Sequence, residues 1–207
     1  MPFIHKDGKH VPPFKTKGNE MTANIEKQPA VRRNIWRIIG WGGAVGLILT
    51  PLVAMQFTRE VNWTGGDFIL AAVIFSIVGG LIELAVRRSS NWYFRFGAIF
   101  AVLAGFIVVW SNLAVGMIGN EDNPVNLLFL GVLFVAIIGS ILARFRSALL
   151  SYTMLAAGAA QASIAVFAGI LGTDMRGGIF TLILAGFWII SSALFYAASS
   201  RDRTGLD

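Results

Sequence analysis

Cysteine is absent from the 207 residues, so no disulfide framework, thiolate nucleophile or iron–sulfur ligation can form. Histidine occurs only as His5 and His10, both in a polar N-terminal segment. No apolar stretch therefore carries an imidazole to ligate haem, to act as a base or to activate a serine. The HExxH zinc signature and the G-x-x-x-x-G-K-[ST] phosphate loop are missing. No apolar stretch holds two aspartates, which removes an aspartyl dyad. Charge is scarce too, at 14% of residues. These gaps predict a protein that is not an enzyme and that uses no metal and no cofactor.

Long apolar runs fill the space instead. Hydrophobic residues make up 56% of the chain, and mean hydropathy is +0.69, values typical of membrane proteins. Six runs stand out, at about 38–57, 67–86, 96–118, 125–143, 149–171 and 178–198. At about 1.5 Å per residue each covers most or all of a hydrocarbon core roughly 30 Å thick. The reading is an all-α integral membrane protein, a six-transmembrane-helix bundle over residues 31–200. Residues 1–30 form a polar basic tail expected to lack regular structure, with Met21 a second candidate start, and residues 201–207 a short second tail. The first run exceeds the roughly 7–15 residues of a signal-peptide core and ends without a small-residue cleavage site, so it reads as an uncleaved span.

Basic residues fix the expected orientation. Eight precede the first run, Arg87, Arg88 and Arg95 lie in the second gap, Arg144 and Arg146 in the fourth, and Arg201 and Arg203 in the C-terminal tail. The alternate gaps hold only Arg59 and Arg176. Positively charged flanks stay cytoplasmic, which predicts both termini on the cytoplasmic side. The net charge of +6 arises mainly from these flanks. It suits an anionic membrane surface, and no nucleic-acid partner is expected. Trp36, Trp41, Trp63, Trp92, Tyr93, Tyr152 and Tyr196 sit near run ends, as an interfacial belt requires. Trp188 lies inside the sixth run, where packing on a neighbouring helix is the plain reading. Pro51 predicts a kink in the first helix.

Few polar residues invite a functional reading. In the third gap, Asn120, Glu121, Asp122, Asn123 and Pro124 offer two interpretations. Glu121 and Asp122 with the amides resemble an outward-facing site for a hard cation. Equally, Asn123 caps the next helix, Pro124 takes its first position and the acids complement its dipole. Glu83 precedes Arg87 by one helical turn, which predicts an intrahelical ion pair, with a proton-coupling role as the alternative. Asp67, after Gly65 and Gly66, reads as an N-cap. Asn112 continues a small-residue face of Gly97, Ala101 and Gly105, and Gln161 lies beside a stripe of Gly158, Ala162, Ala165, Gly169 and Gly172. Both amides read as interhelical glue, or as the lining of a polar path. The stripe predicts a helix–helix contact, within the bundle or between copies.

The segment Trp110, Ser111, Asn112 and on to Gly119, followed by Glu121, Asn123, Pro124 and Asn126, resembles a stretch of small bacterial inner-membrane proteins of uncharacterised function. The resemblance runs on to Arg144, Phe145 and Arg146. It implies a bacterial origin and a lipid location, and it assigns no site role. Two functional classes follow: a non-catalytic accessory or interaction protein of the inner membrane, or a small carrier or channel for a solute or ion. No internal repeat separates them.

Overall fold

A computed structural model describes residues 17–170, 172 and 174–204. They contain six α-helices and no strand: α1 (Lys17–Phe57), α2 (Gly65–Arg88), α3 (Trp92–Ala114), α4 (Leu128–Leu142), α5 (Ser147–Ile170) and α6 (Met175–Thr204). All six are long and apolar enough to cross a membrane, α4 together with the 3-10 turn Pro124–Leu127 that leads into it. This is the architecture of a multi-pass membrane protein.

The chain divides into two compact units, one ending at Trp63 and one beginning at Thr64. The first contains α1, which begins at Lys17, inside the segment expected to lack regular structure. Residues 1–16 of that tail lie outside the described residues. Helical geometry continues through Pro51, and Thr50 returns its hydroxyl to the Gly46 carbonyl at 2.9 Å.

Helix ends in the second unit carry local chemistry that the sequence largely signals. Thr64 is the N-cap of α2, and Asp67 is its reciprocal partner. The Asp67 carboxylate accepts from the Thr64 N–H at 2.7 Å and the Thr64 hydroxyl at 2.8 Å. The expectation that Asp67 is itself the cap is thus off by one turn: a capping box needs the hydroxyl three residues earlier. Asn91 caps α3 and Asn123 caps the turn before α4, with Pro124 at its first position. The C-terminus of α4 closes with the two hydrogen bonds of a Schellman motif, Phe145 N–H to Ser140 and Arg144 N–H to Ile141. Arg144 and Phe145 take positive φ of 48° and 56°, a conformation usually left to glycine.

Within this unit α6 is the centre. It packs most extensively on α5 and α3, while α4 lies on α5 and α2 on α3. The buried face of α6 repeats in steps of four and three through Gly177, Thr181, Leu184, Trp188, Ser191, Phe195 and Ala198. That period matches close helix packing at small crossing angles. Glycines admit the close contacts. A Cβ at Gly158 of α5 would lie 3.2 Å from the Trp188 Cβ, and one at Gly97 of α3 would lie 3.2 Å from the Phe195 ring. The third span ends at Ala114 rather than near 118. Beyond it Gly116 has φ 75° and Gly119 has φ 72°, so apolar Met117 and Ile118 leave the helix while staying buried.

Candidate functional site

Gln161 is fully buried between α5 and α6. Its Oε1 accepts from the Trp188 indole N–H at 2.9 Å, and its Nε2 donates to the Thr181 carbonyl at 3.2 Å. One side chain thus ties two helices through both of its polar atoms. Further along α6, the Ser191 hydroxyl donates to the Gly97 carbonyl of α3 at 2.7 Å. Ser192 donates to the Ser151 carbonyl of α5 at 2.8 Å. In a medium without water, such bonds hold helices together where the hydrophobic effect does not.

Asn112 behaves differently. Its Nδ2 bonds the Val108 carbonyl one turn back on its own helix at 2.9 Å, while its Oδ1 is buried without a partner among the described residues, as is the Thr181 hydroxyl. Among the described residues, the amide predicted to bridge helices therefore makes no bond across them. Gly158 and Ala165 of the small-residue stripe face α6, Gly158 against Trp188 and Ala165 with its carbonyl beside Gly178. The surroundings of Gly169 lie outside what is described.

Glu83 receives two bonds from Arg87, the closer from Nη2 and the longer from Nε at 3.1 Å. Glu121 and Asp122 are exposed, and among the described residues no three His, Cys, Asp or Glu side chains gather as a metal site.

Two residues that sequence reasoning passed over organise the connection from α3 to α4. Asn126 is buried, and its Oδ1 accepts from the backbone N–H groups of Met117 and Ile118 at 3.0 and 2.9 Å. Its Nδ2 donates to the carbonyls of Asn120 and Ile118 at 2.7 and 3.3 Å. A Cβ at Gly116 would come within 2.7 Å of that Nδ2, so the turn needs glycine for space as well as for φ. Asp174 then joins this loop to α6. Its carboxylate caps α6 by accepting from Arg176 N–H at 3.0 Å and also accepts from Gly119 N–H at 3.0 Å. Backbone N–H groups of Gly177 and Gly119 hold its carboxyl below the usual aspartate value. The one signal for Asp174 was an acid just before an apolar run; its partner lies 55 residues away.

The arginine-rich end is tied by Asp202. It accepts from the Asn91 amide at 3.0 Å and from the Ser147 hydroxyl at 3.0 Å, joining the end of α6 to the starts of α3 and α5. Arg201 lies 4.8 Å from the Tyr93 ring centroid, and Arg88 lies 5.5 Å from that of Phe145.

Between α2 and α4 an apolar groove of about 550 Å³ opens, with α3 as its floor. Its lining includes Ile77 and Leu81 of α2, Ala101 and Gly105 of α3, and Leu133 and Ile137 of α4. Among the described residues the only charged one lining it is Arg88, and neither Asn112 nor Gln161 borders it. Comparison with known proteins finds no matching family model, no matching curated protein and no matching solved structure.

Proposed function

We propose that this chain is a non-catalytic accessory protein of a bacterial inner membrane, both termini in the cytoplasm, acting through contacts made in the bilayer. One observation carries the reading. Gln161, the amide best placed to meet a solute, is spent on Trp188 and Thr181 with no exposed surface. A carrier site at this depth needs polar groups that exchange a solute's hydration for protein contacts. Gln161 has both polar atoms engaged, and the large groove offers a solute almost no polar group. The charged pair Glu83 and Arg87 supports the same reading, because each neutralises the other along one helix face.

The test is flux through the purified protein in sealed vesicles, with proton and monovalent-cation gradients read by entrapped dyes. The expected result is a leak equal to that of protein-free vesicles. A saturable flux that disappears on Gln161→Leu in a folded protein overturns the accessory reading in favour of the carrier. Orientation has its own check: a reporter fused after Asp207 is expected to register cytoplasm, and a periplasmic signal overturns the assignment.

A further inference from the structure

From the groove between α2 and α4 we infer that this protein holds one anionic phospholipid, an acyl chain lying in the groove and its phosphate at Arg88. Length supports this occupant. On α2 the lining runs from Ile74 through Ile77, Leu81 and Leu84 to Arg88, at one-turn spacing along a single face. Fourteen steps at about 1.5 Å give a channel roughly 21 Å long, more than the ~15 Å of one leaflet's hydrocarbon. The floor is made by Ala98, Ala101 and Gly105 of α3, whose small size leaves the depth of the groove. Its volume of about 550 Å³ falls within the roughly 300–1,000 Å³ of small-molecule sites.

Charge decides the chemistry of the ligand. Apart from Arg88, the lining holds a single polar aliphatic side chain, Ser140, and that hydroxyl is spent on the Ala136 carbonyl at 2.6 Å. A ligand lying here is therefore apolar along its whole length and negative at one end. Arg88 makes no hydrogen bond or ion pair among the described residues; its guanidinium rests over the Phe145 ring at the same end of the groove. A guanidinium with free donors is suited to bidentate contact with phosphate. The left-handed turn at Arg144 and Phe145 sets that ring beside Arg88. Strained backbone of this kind is tolerated where it positions a working group.

The experiment uses the full chain in nanodiscs containing phosphatidylglycerol with a photoactivatable group on one acyl chain, mapped by mass spectrometry after illumination. Crosslinks are expected to concentrate on Ile77, Leu81 and Ile137, and to fall on Gly105→Leu, which fills the floor. A Cβ at Gly105 would make only ordinary contacts, 3.7 Å to Leu133 and 3.8 Å to Trp188, and Ala101→Leu gives an independent plug whose folding is checked alongside it by thermal unfolding. Arg88→Gln is expected to lower the preference for phosphatidylglycerol over phosphatidylcholine by about fivefold, the weight of one cation near a membrane surface. Labelling spread evenly over exposed Leu130, Ile183 and the groove alike overturns the site, since that is ordinary annular lipid. So does a groove crosslinked to a second copy of the chain in place of lipid, or a lipid preference unchanged in Arg88→Gln.

Discussion

The seam along α6 and the groove between α2 and α4 share Trp188 and Phe195, yet they are closed by different means. In the seam, small residues bring backbones close, and the polar atoms of Gln161, Ser191 and Ser192 are matched across helices. In the groove, large apolar side chains of α2 and α4 stand apart over a floor of small residues, and nothing polar reaches across. A bilayer explains the contrast. Lipid tails are as apolar as leucine, so burial against another helix gains little, and hydrogen bonding and packing decide which faces close. Faces without either stay open to lipid.

The sharpest way to break this comparison is to place the same side chain in both regions. Gly158→Leu and Gly105→Leu gain the same helix propensity, about 1 kcal/mol, so the difference between them reports packing. In the seam the first added carbon already meets Trp188 at 3.2 Å and Ile189 at 3.3 Å, and overpacking of this kind costs about 3 kcal/mol. In the groove the added carbon finds ordinary contacts, and the net change is expected within about 1 kcal/mol. Reversible unfolding in mixed detergent measures both; equal losses would mean the groove is as closed as the seam.

Next in size is Gln161→Leu. It removes two interhelical bonds and strands the Trp188 N–H in a buried place. Interhelical bonds in membranes average about 0.6 kcal/mol, and an unsatisfied buried donor costs about 1–3 kcal/mol. A loss of about 2 kcal/mol is expected. Adding Trp188→Phe removes the stranded donor, so the double variant should cost less than the sum of the singles. Strict additivity would show that the two side chains do not act together.

How much of this was legible in the sequence follows the same division. The six spans were legible because length and hydropathy are properties of a run. The cap at Asn123 and Pro124 and the pair Glu83–Arg87 were legible because both partners sit within one turn. Asn126 and Asp174 were not, because each acts through backbone groups that the sequence places elsewhere, Asp174 on Gly119 across 55 positions. The end of α3 was misjudged because Met117 and Ile118 are apolar enough to continue a span; the turn is set by Gly116, whose φ no hydropathy reveals. Asn112 was misjudged because a small-residue face marks where helices approach, not which atom a given amide meets. The groove was invisible for a related reason. Helices apolar all round carry no stripe to show which face is packed.

A smaller effect is expected at the loop clasp. Asp174→Ala removes the cap of α6 and the bond to Gly119, at a cost of about 1 kcal/mol. The carboxyl's value is lowered in the folded protein, so its contribution is complete above the unfolded aspartate value of about 3.9. It is lost as pH falls below that, through the folded value. Wild type should therefore lose stability below about pH 4 more steeply than Asp174→Ala. Parallel acid profiles would mean that the carboxylate does not hold the loop.

The smallest expected effect is a gain, and it comes from the seam's own exception. Asn112 Oδ1 and Thr181 Oγ1 are the two buried polar side-chain atoms without partners among the described residues. Ser191 bonds Gly97, and the Trp188 ring reaches Gly105, so the antiparallel pairing of α3 and α6 carries on to bring position 112 to the first turns of α6, where Thr181 lies. Asn112→Leu removes an unpaired oxygen and surrenders only a bond to the Val108 carbonyl on its own helix. Replacing a polar group left unsatisfied by an apolar one of similar shape is neutral to stabilising, and a gain of about 0.5 kcal/mol is expected. Thr181→Val should act likewise, since the carbonyl that Gln161 uses remains. The pair together distinguishes two arrangements. If each oxygen stands alone, the two gains add. If one buried water bridges the acceptor of Asn112 to the hydroxyl of Thr181, each single variant loses stability, because the water keeps a partner on one side only. The double variant then recovers most of the loss. That outcome would remove Asn112 as an exception and make the whole face of α6 a matched polar seam.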